Sequence, residues 1–175
     1  AAELFDYFGH DCEPPQYREL SRRIKKAVRQ TCYDEPRQLF AETPDKTLFT
    51  KHTNSVAILA DAVPDSLQSG IADAIINDPD LAETTLYFDF YVFQALKQAG
   101  RGGEILNLLD KWKRCLRYGM TTFPEHDVEG RSDCHAWSAH PLFDFLNITC
   151  GIAPDAPGFA GVCIRPQPGD LETVE

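Results

Sequence analysis

Apolar residues recur at helical spacing along most of the chain, in segments parted by polar or Gly/Pro breaks. Ala2–Phe8 reads as a helix end, stopped near Gly9. Gln16–Cys32 follows two prolines and carries Tyr17, Leu20, Ile24, Ala27, Val28 and Thr31 on one stripe; Asp34-Glu35-Pro36 ends it. Thr53–Ala62 is a short apolar helix stopped by Pro64. Asp65 is placed to cap the next, with Leu67, Ile71, Ala74 and Ile75 on one face, until Asn77-Asp78-Pro79-Asp80 breaks the chain. Thr85–Ala99 is apolar and aromatic and ends at Gly100. Gly103–Tyr118 carries Ile105, Leu108, Leu109, Trp112 and Leu116. A last helix starts near Ser138, with Pro141 in its first turn, and stops at Gly151.

Helices apolar nearly all round alternate with amphipathic ones. Thr53–Ala62, Thr85–Ala99 and Leu142–Ile148 are of the first kind and are expected to be buried on all sides. A double ring of helices, inner alternating with outer, gives this pattern; so does a solenoid of stacked pairs, and the pattern does not choose between them. After Pro154, Pro157 and Gly158 the character changes, and Phe159–Pro166 reads as one β-strand. A lone strand needs partners, so the chain is expected to end inside a β element of a larger protein. The fold class expected is all-α, with a short β-strand tail.

With 175 residues, 43% of them apolar and 25% charged, the chain is the size and composition of one globular domain. A net charge of -10 argues against nucleic acid as a partner. No apolar run approaches the ~20 residues of a membrane span. The first residues lack the basic and apolar regions of a signal peptide, so the location is left open between cytoplasm and the periplasm or exterior. The cysteines, Cys12, Cys32, Cys115, Cys134, Cys150 and Cys163, form no CxxC pair and are expected to be free or buried thiols.

If the rings are real, three outer-to-inner connections meet at one end. They are Thr50–Asn54, Thr84–Asp89 and the long stretch Gly119–His140, and long loops in compact domains are usually functional or disordered. Glu125, after Thr121-Thr122-Phe123-Pro124, suits a carboxylate that takes a proton from water; a solvated loop glutamate is the plain alternative. Trp137 can stack on a pyranose while His135 bonds its hydroxyls; a core tryptophan with a satisfied histidine is the alternative. The spacing of His126, His135 and His140 fits neither HxxxH nor HExxH, and no metal or other cofactor is expected. Cys134-His135 are neighbours in sequence, but a thiol–imidazole dyad is built in space. No GxSxG, P-loop or GxGxxG is present.

The run Gly119-Met120-Thr121-Thr122-Phe123-Pro124-Glu125, followed by Arg131-Ser132-Asp133-Cys134-His135-Ala136-Trp137-Ser138-Ala139-His140-Pro141, resembles the C-terminal signature of bacterial-type α-L-rhamnosidases. Lys51–Ala57 and Tyr87–Tyr91 are similar to two inner-helix starts of that family. The tail Gly151–Pro166 looks like its passage into a C-terminal β-sandwich. The resemblance implies a six-hairpin, (α/α)6 barrel that removes terminal α-L-rhamnose with inversion. It places the general base on Glu125 and sugar contacts on His135, with Trp137, His52 and Tyr87 as further expected binding residues. Pro124 stands where many relatives have Trp, which removes an aromatic wall. About seven helices are counted here, so about five of the barrel's twelve would be absent, and the family's general acid with them. The expectation is thus a partial barrel over 1–151 and the start of a β-sandwich over 152–175. Its partners would be a rhamnose-containing carbohydrate, the N-terminal part of its own catalytic domain and, through exposed inner helices, a second copy. Should the chain hydrolyse rhamnosides alone, Asp127, Glu129 and Asp133 are the first acids to test. A non-catalytic helical-repeat module and a six-hairpin glycosidase for another sugar are the competing readings.

Overall fold

The structure is a computed structural model that describes residues 1–126 and 130–173. Asp127 and Glu129 lie outside the described residues. Among the described residues seven α-helices follow one another: α1 (Ala2–Tyr7), α2 (Glu13–Cys32), α3 (Lys51–Leu59), α4 (Asp65–Asn77), α5 (Asp89–Gln98), α6 (Asp110–Arg117) and α7 (Pro141–Asp144). None of the described helices is long and apolar enough to cross a membrane. The six cysteines form no disulfide; Cys115 is buried, and Cys12 and Cys134 are exposed.

The local causes are mostly those of the sequence. Thr50 is extended and its hydroxyl accepts the Thr53 N–H at 3.1 Å, which caps α3. The cap of α4 is Pro64, not Asp65: Asp65 is the first helical residue, and its carboxylate accepts from Gln68 at 3.2 Å instead. The segment expected as one helix from Gly103 is a 3₁₀ turn over Gly102–Leu108 followed by α6. Gly102 and Gly103 lie against Ile148, Gln167 and the Gly169 backbone; a Cβ on Gly103 would meet the Gly169 Cα at 2.8 Å. That close approach, rather than propensity, sets the chain's path there. α7 continues as a π-turn over Phe145–Thr149 and ends at Gly151, in the left-handed region at φ 68°.

α3, α5 and α7 are neighbours in that order; α4 packs behind α3 and α5, and Gly102–Leu108 behind α5 and the π-turn. The core runs between these layers through Phe40, Ile58, Ile71, Ile75, Phe93, Leu96, Ile105 and Ile148. All-round burial holds for α5 but not for its two neighbours. Val56 on α3 is 48% exposed, and Leu142, Phe143 and Leu146 are 66%, 51% and 59% exposed. Val56 opens into a groove beside α2, and Phe143 touches only the edge of the aromatic cluster, 6.1 Å from the Phe90 ring. The apolar stripe of α2 is likewise open at Tyr17, Leu20 and Ile24.

Two small sheets were not expected. Tyr33–Asp34 (β1) pairs antiparallel with Leu39–Phe40 (β2) directly after α2. Ile152–Pro154 (β3) pairs antiparallel with Val162–Ile164 (β4), so the strand read over Phe159–Pro166 is shorter and has its partner within the chain. The tail is tied back to the helices. Gln167 takes the Gly102 N–H at 2.7 Å, gives its amide to the Lys97 carbonyl at 3.1 Å, and donates its N–H to Ile148 at 3.0 Å.

Candidate functional site

The three connections converge. Thr50 bridges to Ala82, with the Lys51 N–H donating to the Ala82 carbonyl and the Ala82 N–H to Phe49, both at 3.1 Å, so the loop before α5 starts beside the N-terminus of α3. Lys111 holds the rest of that loop from below. Its ammonium reaches the Thr84 carbonyl and the buried Asp89 carboxylate, both at 2.8 Å, and Glu83 at 3.4 Å. Burial pushes the Glu83 carboxyl up, but Lys51 and Lys111 outweigh it and the net shift is down.

The third connection folds on itself. The His135 N–H donates to Phe123 at 2.7 Å and the Glu125 N–H to Ser132 at 2.8 Å, which zips 122–125 against 132–135. Beneath it, the Trp112 indole N–H donates to the Ser138 carbonyl at 2.7 Å. His140 lies buried among Phe90, Phe93 and Trp112. One of its ring nitrogens is 2.5 Å from Asp144 and the other 3.0 Å from the Leu86 carbonyl. Asp144 also accepts from Gln94 at 2.8 Å. This chain of bonds ties the loop that carries Tyr87 to the segment that carries Trp137.

His52 is the second residue of α3, Tyr87 lies just ahead of α5, and His135 precedes the 3₁₀ turn Ala136–Ala139 that leads into α7. Tyr87 meets His135 at 5.3 Å and Trp137 at 6.3 Å, centroid to centroid. His52 lies 4.2 Å from Phe88, which meets Tyr91 at 5.0 Å, and Tyr91 meets Trp137 at 5.8 Å. An aromatic face thus runs from His52 to His135, with the indole of Trp137 half exposed upon it. Glu125 lies on the segment zipped against 132–135, two residues past Phe123, whose carbonyl takes the His135 N–H. The hydrogen bond from Arg131, and then its charge, hold the Glu125 carboxyl below its ordinary value. The guanidinium approaches with Nη2 2.5 Å from Oε1 and Nε 3.2 Å from Oε2.

Two site neighbours were missed from sequence. Arg131 was read only as part of a motif. Glu42, just past β2, accepts from the Thr50 hydroxyl, and bonds from Thr50 and Thr53 hold its carboxyl down. It stands near His52, whose own ring is pushed down by burial, with Glu42 and Asp89 opposing. No spacing rule links position 42 to position 52. From His52 and Phe88 a groove of about 440 Å³ runs between α2 and α3, lined by Ile24, Val28, Val56 and Ala60. Among the described residues no group of three or more His, Cys, Asp or Glu side chains is placed to hold a metal ion.

This architecture is similar to a solved glycoside hydrolase. The crystal structure of the GH78 family rhamnosidase of Bacillus sp. GL1 superposes with a TM-score of 0.73 at 25% identity, over 84% of this chain and 17% of that one. The chain therefore has a rhamnosidase-like fold and spans about a sixth of the length of that rhamnosidase. No protein-family model matches the sequence, and no curated protein does.

Proposed function

We propose that this chain is part of an inverting α-L-rhamnosidase and supplies its general base. The observation that carries the reading is Glu125, held ionised at the end of an aromatic face of Tyr87, His135 and Trp137, within a rhamnosidase-like fold. Trp137 and Tyr87 offer apolar surface to the pyranose ring, and His135 and His52 offer nitrogens to its hydroxyls. A water beside Glu125 gives its proton to the carboxylate as its oxygen attacks the anomeric carbon. The bond to the leaving oxygen breaks on the opposite face, and that oxygen takes a proton from a general acid.

The acid has a requirement of its own: it must be protonated at working pH. Glu42, Glu83 and Glu125 are all held down, which makes them acceptors, and Asp89 is committed to Lys111 and Thr84. The donor is assigned, as the family resemblance implies, to the rest of an (α/α)6 barrel, of which this chain would form the later part. Against a helical-repeat module stands the convergence of three separate connections on one face, since a repeat would scatter them.

The test is hydrolysis of an aryl α-L-rhamnoside by the chain alone, by the chain joined to a complete barrel, and by Glu125→Gln in each. The expected result is turnover only in the joined form, lost in the variant. Wild-type turnover by the variant would remove Glu125 from the chemistry.

A further inference from the structure

Glu125 and Arg131 are unequal partners. The glutamate side chain is 12% exposed and the arginine 90%. The backbone of Glu125 is fixed by its bond to Ser132, whereas the guanidinium comes to the carboxylate from the solvent side. Its two N–H groups meet the two carboxylate oxygens as a fork, a match of planes that lysine cannot make. Such a pair defines orientation well. Because one member is almost fully hydrated, it also opens at little cost.

A base needs an oxygen lone pair turned towards its water. In the closed pair each oxygen of Glu125 accepts a guanidinium N–H. Withdrawal of Nη2 alone would open Oε1, while the Nε contact keeps Oε2 and the plane of the carboxylate in place. Glu125 lies on the segment zipped against 132–135, and His135 on that segment meets Tyr87 at 5.3 Å, so the fork stands beside the aromatic face where a sugar would arrive. We propose that Arg131 is the positioning residue of Glu125, a retractable clamp that orients the carboxylate and yields one of its oxygens to the attacking water once a sugar is bound. The proposal rests on the reading of Glu125 as the base.

The test separates the two. The Glu125 carboxyl is titrated by ¹³C NMR in the 175-residue chain, in Arg131→Gln and in Arg131→Lys, with Glu125→Gln to assign the resonance. Removing an exposed side chain leaves the far-ultraviolet circular dichroism unchanged. In Arg131→Gln the carboxyl is expected to titrate at higher pH, and Arg131→Lys, which keeps the charge but not the fork, to restore most of the shift. In the barrel-joined form, both variants are expected to lose roughly ten- to a hundred-fold in kcat with KM little changed, since misaimed chemistry is slow while binding persists. The acid limb of the pH–rate profile is expected to move up in Arg131→Gln alone. An identical titration in wild type and Arg131→Gln overturns the clamp, and needs no turnover to do so. A shifted titration with an unmoved acid limb overturns Glu125 as the base, and the positioning role falls with it. Full kcat in Arg131→Lys overturns the fork as the feature that matters.

Discussion

Asp144 is the residue whose removal most directly tests how the site is held. Its side chain is fully buried, and it joins the buried His140 ring at 2.5 Å and the partly buried Gln94 amide at 2.8 Å. The Leu86 carbonyl can only accept, so the His140 nitrogen facing it carries a hydrogen, and the proton between the other nitrogen and Asp144 completes the chain. Asp144→Ala strips a partner from the buried His140 ring and from the partly buried Gln94 amide at once. Each such loss costs about 1–3 kcal/mol, and breaking a buried pair from one side about 3–5 kcal/mol, so about 3–5 kcal/mol is expected in total. Asp144→Asn has a different fate. Its carbonyl can still accept from Gln94, and its amide can donate to the imidazole nitrogen that Asp144 faced, so every bond is kept and the cost stays within about 1 kcal/mol.

Urea unfolding, followed by the fluorescence of Trp112 against His140, reads both variants as changes in midpoint at constant slope. With a slope of about 2 kcal/mol per molar, Asp144→Ala is expected to lower the midpoint by about 1.5–2.5 M. Its ring-current shifts between Tyr87 and His135 should collapse too, because the Leu86 anchor goes with the pair. A loss under about 1 kcal/mol in Asp144→Ala would refute the claim that this chain of bonds holds the Tyr87 loop. Equal damage from Asn and Ala would show that charge, and not the pattern of donors and acceptors, is what matters.

Glu125→Gln in the barrel-joined form is expected to bind rhamnoside with KM little changed while kcat falls about 10²–10⁴-fold, read by release of an aryl leaving group. Gly151→Ala should cost at least about 2 kcal/mol in thermal or urea unfolding, because φ is 68° and the new Cβ would lie 2.0 Å from the Arg165 carbonyl carbon. Thr50→Val removes both the cap of α3 and the largest bond holding the Glu42 carboxyl below 4.5. A depressed carboxyl stabilises the fold fully above its unfolded value and loses that contribution as pH falls through its folded value. The gap between wild type and Thr50→Val is therefore expected to be wider at pH 6 than at pH 3, and a gap constant with pH would sever Glu42 from Thr50.

What the sequence revealed was local. The aromatic run into α5 and the left-handed stop at Gly151 each depend on neighbours a few positions away, and each lies where it was expected; the helix read from Thr53 starts two residues earlier, capped by Thr50. The misses depend on distant partners. The β1–β2 hairpin is two residues a side, too short for an alternation to register, and turns through Gln38 at φ 55° where no glycine announces it. Pro154 read as a breaker, yet it ends β3, where its missing N–H costs no ladder bond. The exposed side chains of Val56, Leu142, Phe143 and Leu146 show the same limit from the other side: apolarity marks a residue for burial without saying what covers it.

The candidate site was legible by residue type and hidden in its electrostatics. Glu125, His135 and Trp137 stand out in a loop too long for its span, whereas the Glu125–Arg131 fork joins positions six apart across a fold of the chain that no periodicity describes. Yet the electrostatics carry the assignment of role. Glu125 is held down by Arg131, Glu42 by two threonine hydroxyls and Glu83 by two lysines, while burial keeps the His52 ring from charging. Four groups at or beside one face are thereby biased towards accepting protons, through four unrelated local causes. A retaining glycosidase needs one carboxyl of its pair to begin as acid and finish as base, so its donor must stand about 5–5.5 Å from the nucleophile. An inverting enzyme lets the donor stand farther off, across the sugar and on other elements. Such a bias, within a rhamnosidase-like fold, is what the proposed inverting arrangement would use, with the proton donor facing Glu125 from across the bound sugar.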